Sequence, residues 1–199
     1  MAHFTLLQRQ GDTAPTKPNP STLEPDRTDE LFRTLRLRVR RWRDSDLEPL
    51  LAVYGDADAI SWVGDGSPLS DDDATRWLDV TRTNYATRGY GMFALESSST
   101  GEVVGFIGIV HPGGQAEAEV KYALAREHWG HGLATEALRA MVDYGSSVHG
   151  LSHMIATTAP ENLASHRMLI KSGFVRGELR ANDDGSFTQV FEWAAGAVD

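Results

Sequence analysis

The sequence contains no cysteine among its 199 residues. This absence excludes disulfide bonds, thiolate metal sites and cysteine nucleophiles. Long apolar runs are absent too, because no window approaches the 18 consecutive apolar residues that indicate a transmembrane helix. The first 30 residues also lack the basic start and apolar stretch of a secretory signal. We therefore expect a cytoplasmic protein with no membrane partner.

Positive charge is scarce. Lys and Arg number 19 against 28 Asp and Glu, so the formal net charge at pH 7 is -9. Nucleic-acid binding depends on clustered basic side chains that neutralise phosphates, so this balance argues against a nucleic-acid partner. A cationic substrate would suit the charge, although a solvated acidic surface is the commoner reason for it.

The residues that are present fit one globular domain, with 41% hydrophobic and 24% charged residues. Residues 11–30 are rich in Pro, Thr and Asp, which predicts that residues 1–34 form an extended or flexible arm. The folded domain is predicted over residues 35–199, as a monomer or a homodimer.

Hydrophobic periodicity predicts the order of the elements. Alternation from Leu35 to Val39 indicates a strand, and two helices follow, of which the second has Ser70 as its N-cap. Next come three strands with short turns, a glycine loop with a helix, a further strand, a short helix ending at Gly173, and a closing strand pair. This order predicts an α/β (α+β) fold with a mixed sheet.

The glycine loop is the segment WGHGLA, residues 129–134, directly before an amphipathic helix. Free N–H groups at a helix start attract anions, and Gly130 and Gly132 would let a phosphate approach the backbone. A structural tight turn explains two such glycines equally well. The dinucleotide fingerprint needs a third small residue where Thr135 stands, and the Gly-Lys-Ser/Thr of ATP-type loops is absent.

The loop and its surroundings resemble the GNAT superfamily of acetyl-CoA-dependent N-acetyltransferases. The family's pyrophosphate loop has the pattern Gln/Arg-x-x-Gly-x-Gly/Ala, and WGHGLA is similar to it, with Trp129 in place of the first polar residue. The longer string EVKYAL…HWGHGLATEAL resembles the EIGYWL…YWGKGYATEAL of the branch that includes the ribosomal-protein N-terminal acetyltransferases. NLASHRMLIKSGF likewise resembles that branch's NxxSxrvleklGF.

The resemblance implies a GNAT-type fold, with a mixed, mostly antiparallel central sheet flanked by helices. It implies an enzyme that transfers an acetyl group from acetyl-CoA to a primary amine. One acceptor consistent with it is a protein N-terminal α-amine, on a basic protein or peptide. The alternatives are an aminoglycoside or polyamine acceptor, and a non-catalytic CoA-binding module.

The resemblance also implies a set of cofactor-binding residues. Backbone N–H groups from His131 to Thr135 would hold the pyrophosphate, and the backbone of residues 123–125 would pair with the pantetheine like an extra strand. The implied set is Ala123, Leu124, Ala125, Trp129, Gly130, His131, Gly132, Leu133, Ala134, Thr135, Asn162, Ser165 and Arg167.

Two members of this set lie three residues apart at a helix start. By resemblance Asn162 hydrogen-bonds the cofactor arm, and Ser165 is a catalytic residue that donates a proton to the departing thiolate. Simple helix capping is the alternative for both. Many superfamily members use a tyrosine for this donation, and this helix contains none. Arg167 could meet the CoA 3'-phosphate or be a solvated surface residue.

The candidate base lies on the strand before the loop. Alternation places Glu117, Glu119 and Lys121 on one strand face, which by itself is equally consistent with a solvated face. Glu119 matches the acid of EIGY, which by resemblance takes the amine proton, often through water. Lys121 replaces the branch's Gly. His111 and His166 remain alternative bases, and the histidines show no ligand spacing that indicates a metal.

Overall fold

An eight-stranded sheet forms the centre of the structure. The computed structural model describes residues 29–57 and 69–196. Within them the helices are α1 (Leu47–Tyr54), α2 (Asp71–Arg88), α3 (Leu133–His149) and α4 (Leu163–Lys171). The strands are β1 (Glu30–Arg33), β2 (Leu37–Arg40), β3 (Met92–Ser97), β4 (Val103–Val110), β5 (Glu119–Leu124), β6 (His153–Thr158), β7 (Val175–Ala181) and β8 (Phe187–Ala194).

The strands lie in the order β1-β2-β3-β4-β5-β6-β8-β7, and every neighbouring pair is antiparallel except β5 and β6. The predicted mixed, mostly antiparallel sheet flanked by helices is therefore confirmed. The parallel pair is short: β5 and β6 share one register position, Glu119 opposite Ile155, whereas β4 and β5 stay paired along the whole of β5. Beyond that position the two parallel strands part, and the sheet opens at its middle.

Helices cover both faces of the sheet. On one face α3 buries Leu138 and Met141 against β4 and β5, and α4 buries Leu169 beside β6 and β7. On the other face α1 and α2 bury Leu50 and Leu78. Alternation along each strand supplies apolar side chains to both layers. Within the described residues no helix is long and apolar enough to cross a membrane.

The N-terminal hairpin begins earlier than the sequence predicted. Glu30–Arg33 forms β1 and pairs with β2, whereas the sequence pattern predicts an arm up to residue 34. Leu31 and Phe32 pack against the core, and this short apolar pair explains the strand. Leu35, the predicted strand start, lies 90% exposed in the turn before β2. The rest of the predicted arm, residues 1–28, lies outside the described residues.

The predicted element ends agree with the structure at two positions. Ser70 caps α2 by accepting a hydrogen bond from the backbone N–H of Asp73. Gly173 has a φ of 90° after α4, and Phe174 beyond it is buried in the core. The left-handed glycine turns the chain sharply, so α4 stays close to the opening between β5 and β6.

Candidate active site

The parting of β5 and β6 creates a slot of about 450 Å³ that α3 and α4 close from one side. Eleven of the thirteen predicted cofactor-binding residues line it, which are Ala123, Leu124, Trp129, Gly130, Gly132, Leu133, Ala134, Thr135, Asn162, Ser165 and Arg167. Two do not, Ala125 and His131. The slot therefore brings together residues from β5, the glycine loop and both helices.

The glycine loop has the conformation that an anion site requires. Gly130 and Gly132 each have a φ of 77°, in the left-handed region that favours glycine. Gly132 is the N-cap of α3, and among the described residues no side chain caps the first N–H groups of this helix. These N–H groups therefore face the slot without a side-chain acceptor, which fits the pyrophosphate of a CoA molecule.

The N-terminal hairpin braces this loop. Glu136, in the first turn of α3, accepts hydrogen bonds from the Thr34 hydroxyl at 2.5 Å and from the Arg36 guanidinium at 2.7 Å. Burial opposes ionisation, but these hydrogen bonds together lower the pKa of Glu136. Arg36 also donates to the carbonyl of His131 at 2.7 Å. His131 is thus turned toward the hairpin, which explains why it does not line the slot.

The backbone of β5 corrects two predicted contacts, those of Ala125 and Ala123. The N–H of Ala125 donates to the Val104 carbonyl at 3.0 Å and its carbonyl accepts from the N–H of His128 at 2.9 Å. Ala125 therefore has no backbone group free for a pantetheine arm. Because hydrogen-bonding direction alternates along a strand, Ala123 also directs its backbone groups at β4, opposite Phe106. The backbone groups of Tyr122 and the N–H of Leu124 face the slot instead. The sequence pattern did not indicate which strand would lie beside each backbone group.

Trp129 has a structural role that its exposure would not indicate. It is 46% exposed, yet its indole N–H donates to the carbonyl of Leu124 at 2.8 Å. This bond fixes the end of β5 to the glycine loop. Trp129, which stands where the family pattern has a polar residue, therefore helps to shape the slot.

Tyr122 is a site residue that the sequence analysis missed. Its hydroxyl shares a hydrogen bond with the hydroxyl of Ser165, and both side chains line the slot. Burial raises the pKa of Tyr122 to about 12, so the phenol keeps its proton at neutral pH. Asn162 accepts a hydrogen bond from the Ser165 N–H at 3.1 Å, the predicted capping contact. The sequence did contain a signal for Tyr122: α4 lacks the tyrosine that many superfamily members use, and β5, which carries Tyr122, is the strand beside the slot.

Glu119 is buried rather than solvated. It is 3% exposed, and its carboxylate pairs with the Lys121 ammonium at 2.6 Å. Gln115 donates to the same carboxylate at 3.3 Å, and so does the hydroxyl of Thr157 on β6. The alternative of a solvated strand face is therefore wrong for Glu119. Its ion pair stands at the position where β5 and β6 begin to part.

A second cavity, of about 690 Å³, opens on the other side of the parted strands. The segment after β6 and the β7–β8 hairpin line it, including Glu161, Asn182 and Thr188. Lys121 and Thr157 line both this cavity and the slot. The two cavities therefore meet at the side chains that hold Glu119.

The alternative bases lie elsewhere. Both ring nitrogens of His111 have partners, the Gln115 carbonyl and the Tyr90 hydroxyl, each at 3.0 Å. His166 is buried, with the Ala159 carbonyl and the Arg176 guanidinium each 3.2 Å from its ring nitrogens. Neither histidine bonds to Lys121 or Thr157, the side chains that line both cavities, whereas Glu119 bonds to both, so the geometry favours Glu119. Within the described residues, no group of three or more His, Asp or Glu is placed to hold a metal.

Known proteins share this sequence pattern and fold. The family model described as "Acetyltransferase (GNAT) domain" matches residues 36–175. The "Uncharacterized N-acetyltransferase YoaA" of Bacillus subtilis is 31% identical over 153 residues, which cover 75% of this chain and 86% of the relative.

Two solved structures show a similar fold. RimL, a ribosomal L7/L12 alpha-N-protein acetyltransferase in complex with coenzyme A, matches with a TM-score of 0.70 and 15% identity, over 83% of this chain and 97% of that one. AAC(6')-Ib in complex with parmomycin and acetyl-CoA matches with a TM-score of 0.67 and 19% identity, over 80% and 93%. With the family pattern, the loop and the slot in agreement, the chain belongs to the GNAT superfamily and is an acetyltransferase.

Proposed function

We propose that the chain transfers an acetyl group from acetyl-CoA to a protein or peptide N-terminal α-amine. The observation that carries this proposal is the slot between β5 and β6, which meets a second open cavity at Lys121 and Thr157. One cavity suits the acyl donor and the other the acceptor. Acetyl-CoA brings the activated acetyl group as a thioester, so the protein has to position the two substrates and move protons.

The residues of the slot divide the work of holding CoA. The N–H groups at the start of α3, from Gly132 onward, bind the pyrophosphate, since they have no side-chain cap. The slot-facing backbone groups of Tyr122 and the N–H of Leu124 pair with the extended arm, because the Leu124 carbonyl already accepts from Trp129. Arg167 and Lys171 lie one turn apart on α4 at the slot and supply positive charge for the 3'-phosphate.

Glu119 receives the proton that the attacking nitrogen releases as the new C–N bond forms. The carboxylate lies behind Lys121 and Thr157, so the proton reaches it through water rather than by direct contact. This placement supports the base role that the family pattern implies for Glu119.

The Tyr122 and Ser165 hydroxyls form a donor pair for the departing sulfur. One hydroxyl gives its proton to the sulfur, and the other stabilises the resulting oxyanion through their shared hydrogen bond. The phenol is protonated at neutral pH, so it enters the reaction as a proton donor.

The preference for an α-amine rests on proton chemistry and charge. An α-amine has a pKa near 8, whereas a lysine side chain near 10.4 requires roughly 3 kcal/mol more to lose its proton. A carboxylate that acts through water suits the α-amine. The net charge of -9 would also attract a basic partner. A small-molecule amine is the alternative, because AAC(6')-Ib also has this fold.

Gly132→Glu tests CoA binding at the loop. A Cβ at this position meets only the Arg36 guanidinium at 3.6 Å, but the carboxylate would repel the pyrophosphate. We expect acetyl-CoA affinity to fall by about 100-fold or more in calorimetry. Gly150→Glu is the matched control: Gly150 also has a positive φ, 66°, at the opposite end of α3, and its replacement should leave affinity unchanged. Unchanged affinity in folded Gly132→Glu would rule the loop out.

Glu119→Gln tests the base. The amide keeps the shape of the side chain but cannot take a proton, so turnover should fall by roughly 100-fold at neutral pH while acetyl-CoA affinity is retained. Glu117→Gln, two residues earlier with a side chain 40% exposed, should leave turnover unchanged. If Glu119→Gln retains full turnover across the pH range, Glu119 is not the base.

Tyr122→Phe and Ser165→Ala test the donor pair. Each should lower kcat by about tenfold or more, with acetyl-CoA affinity unchanged, because each removes one hydroxyl of the pair. The double variant should be no slower than the slower single variant, since residues that act as one unit are not additive. Multiplicative losses would show that the two hydroxyls act independently. Ser165→Ala keeps the backbone N–H that Asn162 caps, so α4 should remain intact.

A competition between peptides tests the acceptor. One peptide has a free N-terminus and the other a blocked N-terminus, and both carry lysines. We expect acetylation of the free N-terminus, and a rate that decreases with added salt because screening weakens the attraction to the acidic protein. Equal labelling of both peptides, or acetylation confined to aminoglycosides or polyamines, would contradict this choice of acceptor.

A further inference from the structure

We propose that Lys121 is a specificity-determining residue that admits acceptor amines to the junction of the two cavities only in their uncharged form. Through this selection, the residue would favour α-amines over lysine side chains. The inference rests on the proposed N-acetyltransferase function and concerns its acceptor side.

The geometry places Lys121, not Glu119, in front of an incoming amine. The Lys121 side chain is 35% exposed and the Glu119 side chain 3% exposed. Lys121 lines both cavities, whereas Glu119 lines neither. The ammonium lies 2.6 Å from the carboxylate and donates to the Thr157 hydroxyl at 3.2 Å. An amine that enters from the second cavity therefore meets a fixed ammonium, with the carboxylate behind it.

Other charges near the junction do not reverse this arrangement. The nearby Glu117 and Glu178 carboxylates pair with Arg180 of β7, at 3.7 and 2.6 Å. Glu161 is exposed at the edge of the second cavity, where solvent screens it.

The slot side adds further positive charge. Arg167 and Lys171 of α4 line the slot, as does His128, whose ring lies 4.0 Å from the exposed Glu127 carboxylate. Among the described residues, the carboxylate at the junction itself, that of Glu119, is therefore already paired when a second ammonium arrives.

A cation held beside a fixed ammonium is disfavoured, so an amine binds there as the free base. At pH 7 about a tenth of an α-amine is uncharged, but only about 0.04% of a lysine side chain. The difference gives a preference of about 200-fold for the α-amine at equal contact energy. The similar family pattern has Gly where this chain has Lys121, so the selection would be a property of this chain.

The test is the pH dependence of acceptor affinity, with CoA in the slot so that no turnover occurs. The probe is a lysine-free peptide with a free N-terminus, titrated into the protein–CoA complex by calorimetry. In the wild type we expect affinity to rise about 100-fold from pH 6 to pH 9, following the free-base fraction of an amine with a pKa near 8. An affinity independent of pH, or higher at pH 6, would overturn the proposal.

Two substitutions show whether Lys121 causes the slope. In Lys121→Met the incoming ammonium can pair with Glu119, so affinity should change less than about threefold over the same range. Lys121→Arg keeps the cation and should keep the wild-type slope, which a merely structural role would not explain. A wild-type slope in folded Lys121→Met would refute the role of Lys121.

A wild-type measurement covers the case in which Lys121→Met does not fold. The second probe is a peptide with a blocked N-terminus and one lysine. The affinity ratio of the two peptides should be about 200 at pH 7 and fall about tenfold by pH 9, as more of the lysine becomes uncharged. Equal affinities at pH 7 would overturn the inference. Absence of turnover with every amine would instead refute the proposed function, so the two failures are distinguishable.

Discussion

The site depends on one constraint, the short pairing between the parallel strands β5 and β6. They are held together at Glu119 and Ile155, where the Ile155 N–H donates to the Ala118 carbonyl at 2.9 Å, and they part beyond this position. Backbone groups on the inner edge of β5 are then left without a neighbouring strand. Such groups need hydrogen-bond partners when they are covered, so the opening is suited to an extended ligand that pairs like a strand.

Contacts between distant segments keep this opening in shape. The N-terminal hairpin reaches the start of α3 through Arg36 and Glu136, and Trp129 ties the glycine loop to the end of β5. Hydrogen bonds between ionised groups are short and directional, so they fix the loop better than a flexible apolar contact would. The hairpin precedes the glycine loop by about 90 residues in the chain, and it is thereby part of the support of the site.

Charge at the junction of the two cavities follows from the burial of Glu119. A carboxylate removed from water requires donors, and Lys121, Thr157 and Gln115 supply them from two strands and a loop. The same arrangement that stabilises the acid also hides it from the second cavity. The two groups therefore differ in their position relative to the substrates. The Lys121 ammonium lies at the surface that an acceptor reaches, and the Glu119 carboxylate lies behind it.

Local patterns in the sequence determined the elements and the left-handed glycines, and the resemblance to the GNAT family implied most of the slot lining. Hydrophobic periodicity and glycine chemistry depend on neighbours within a few residues, so they can be read along the chain. The exceptions were the start of the hairpin, where an apolar pair was too short to indicate a strand, the backbone contacts of Ala123 and Ala125, and the position of His131. Tertiary structure alone decided the partners of Tyr122 and Glu119. Tyr122, for example, bonds Ser165, which lies 43 residues further along the chain. A period of two shows that side chains share a face, but which strand or helix covers that face is set only when the sheet is assembled.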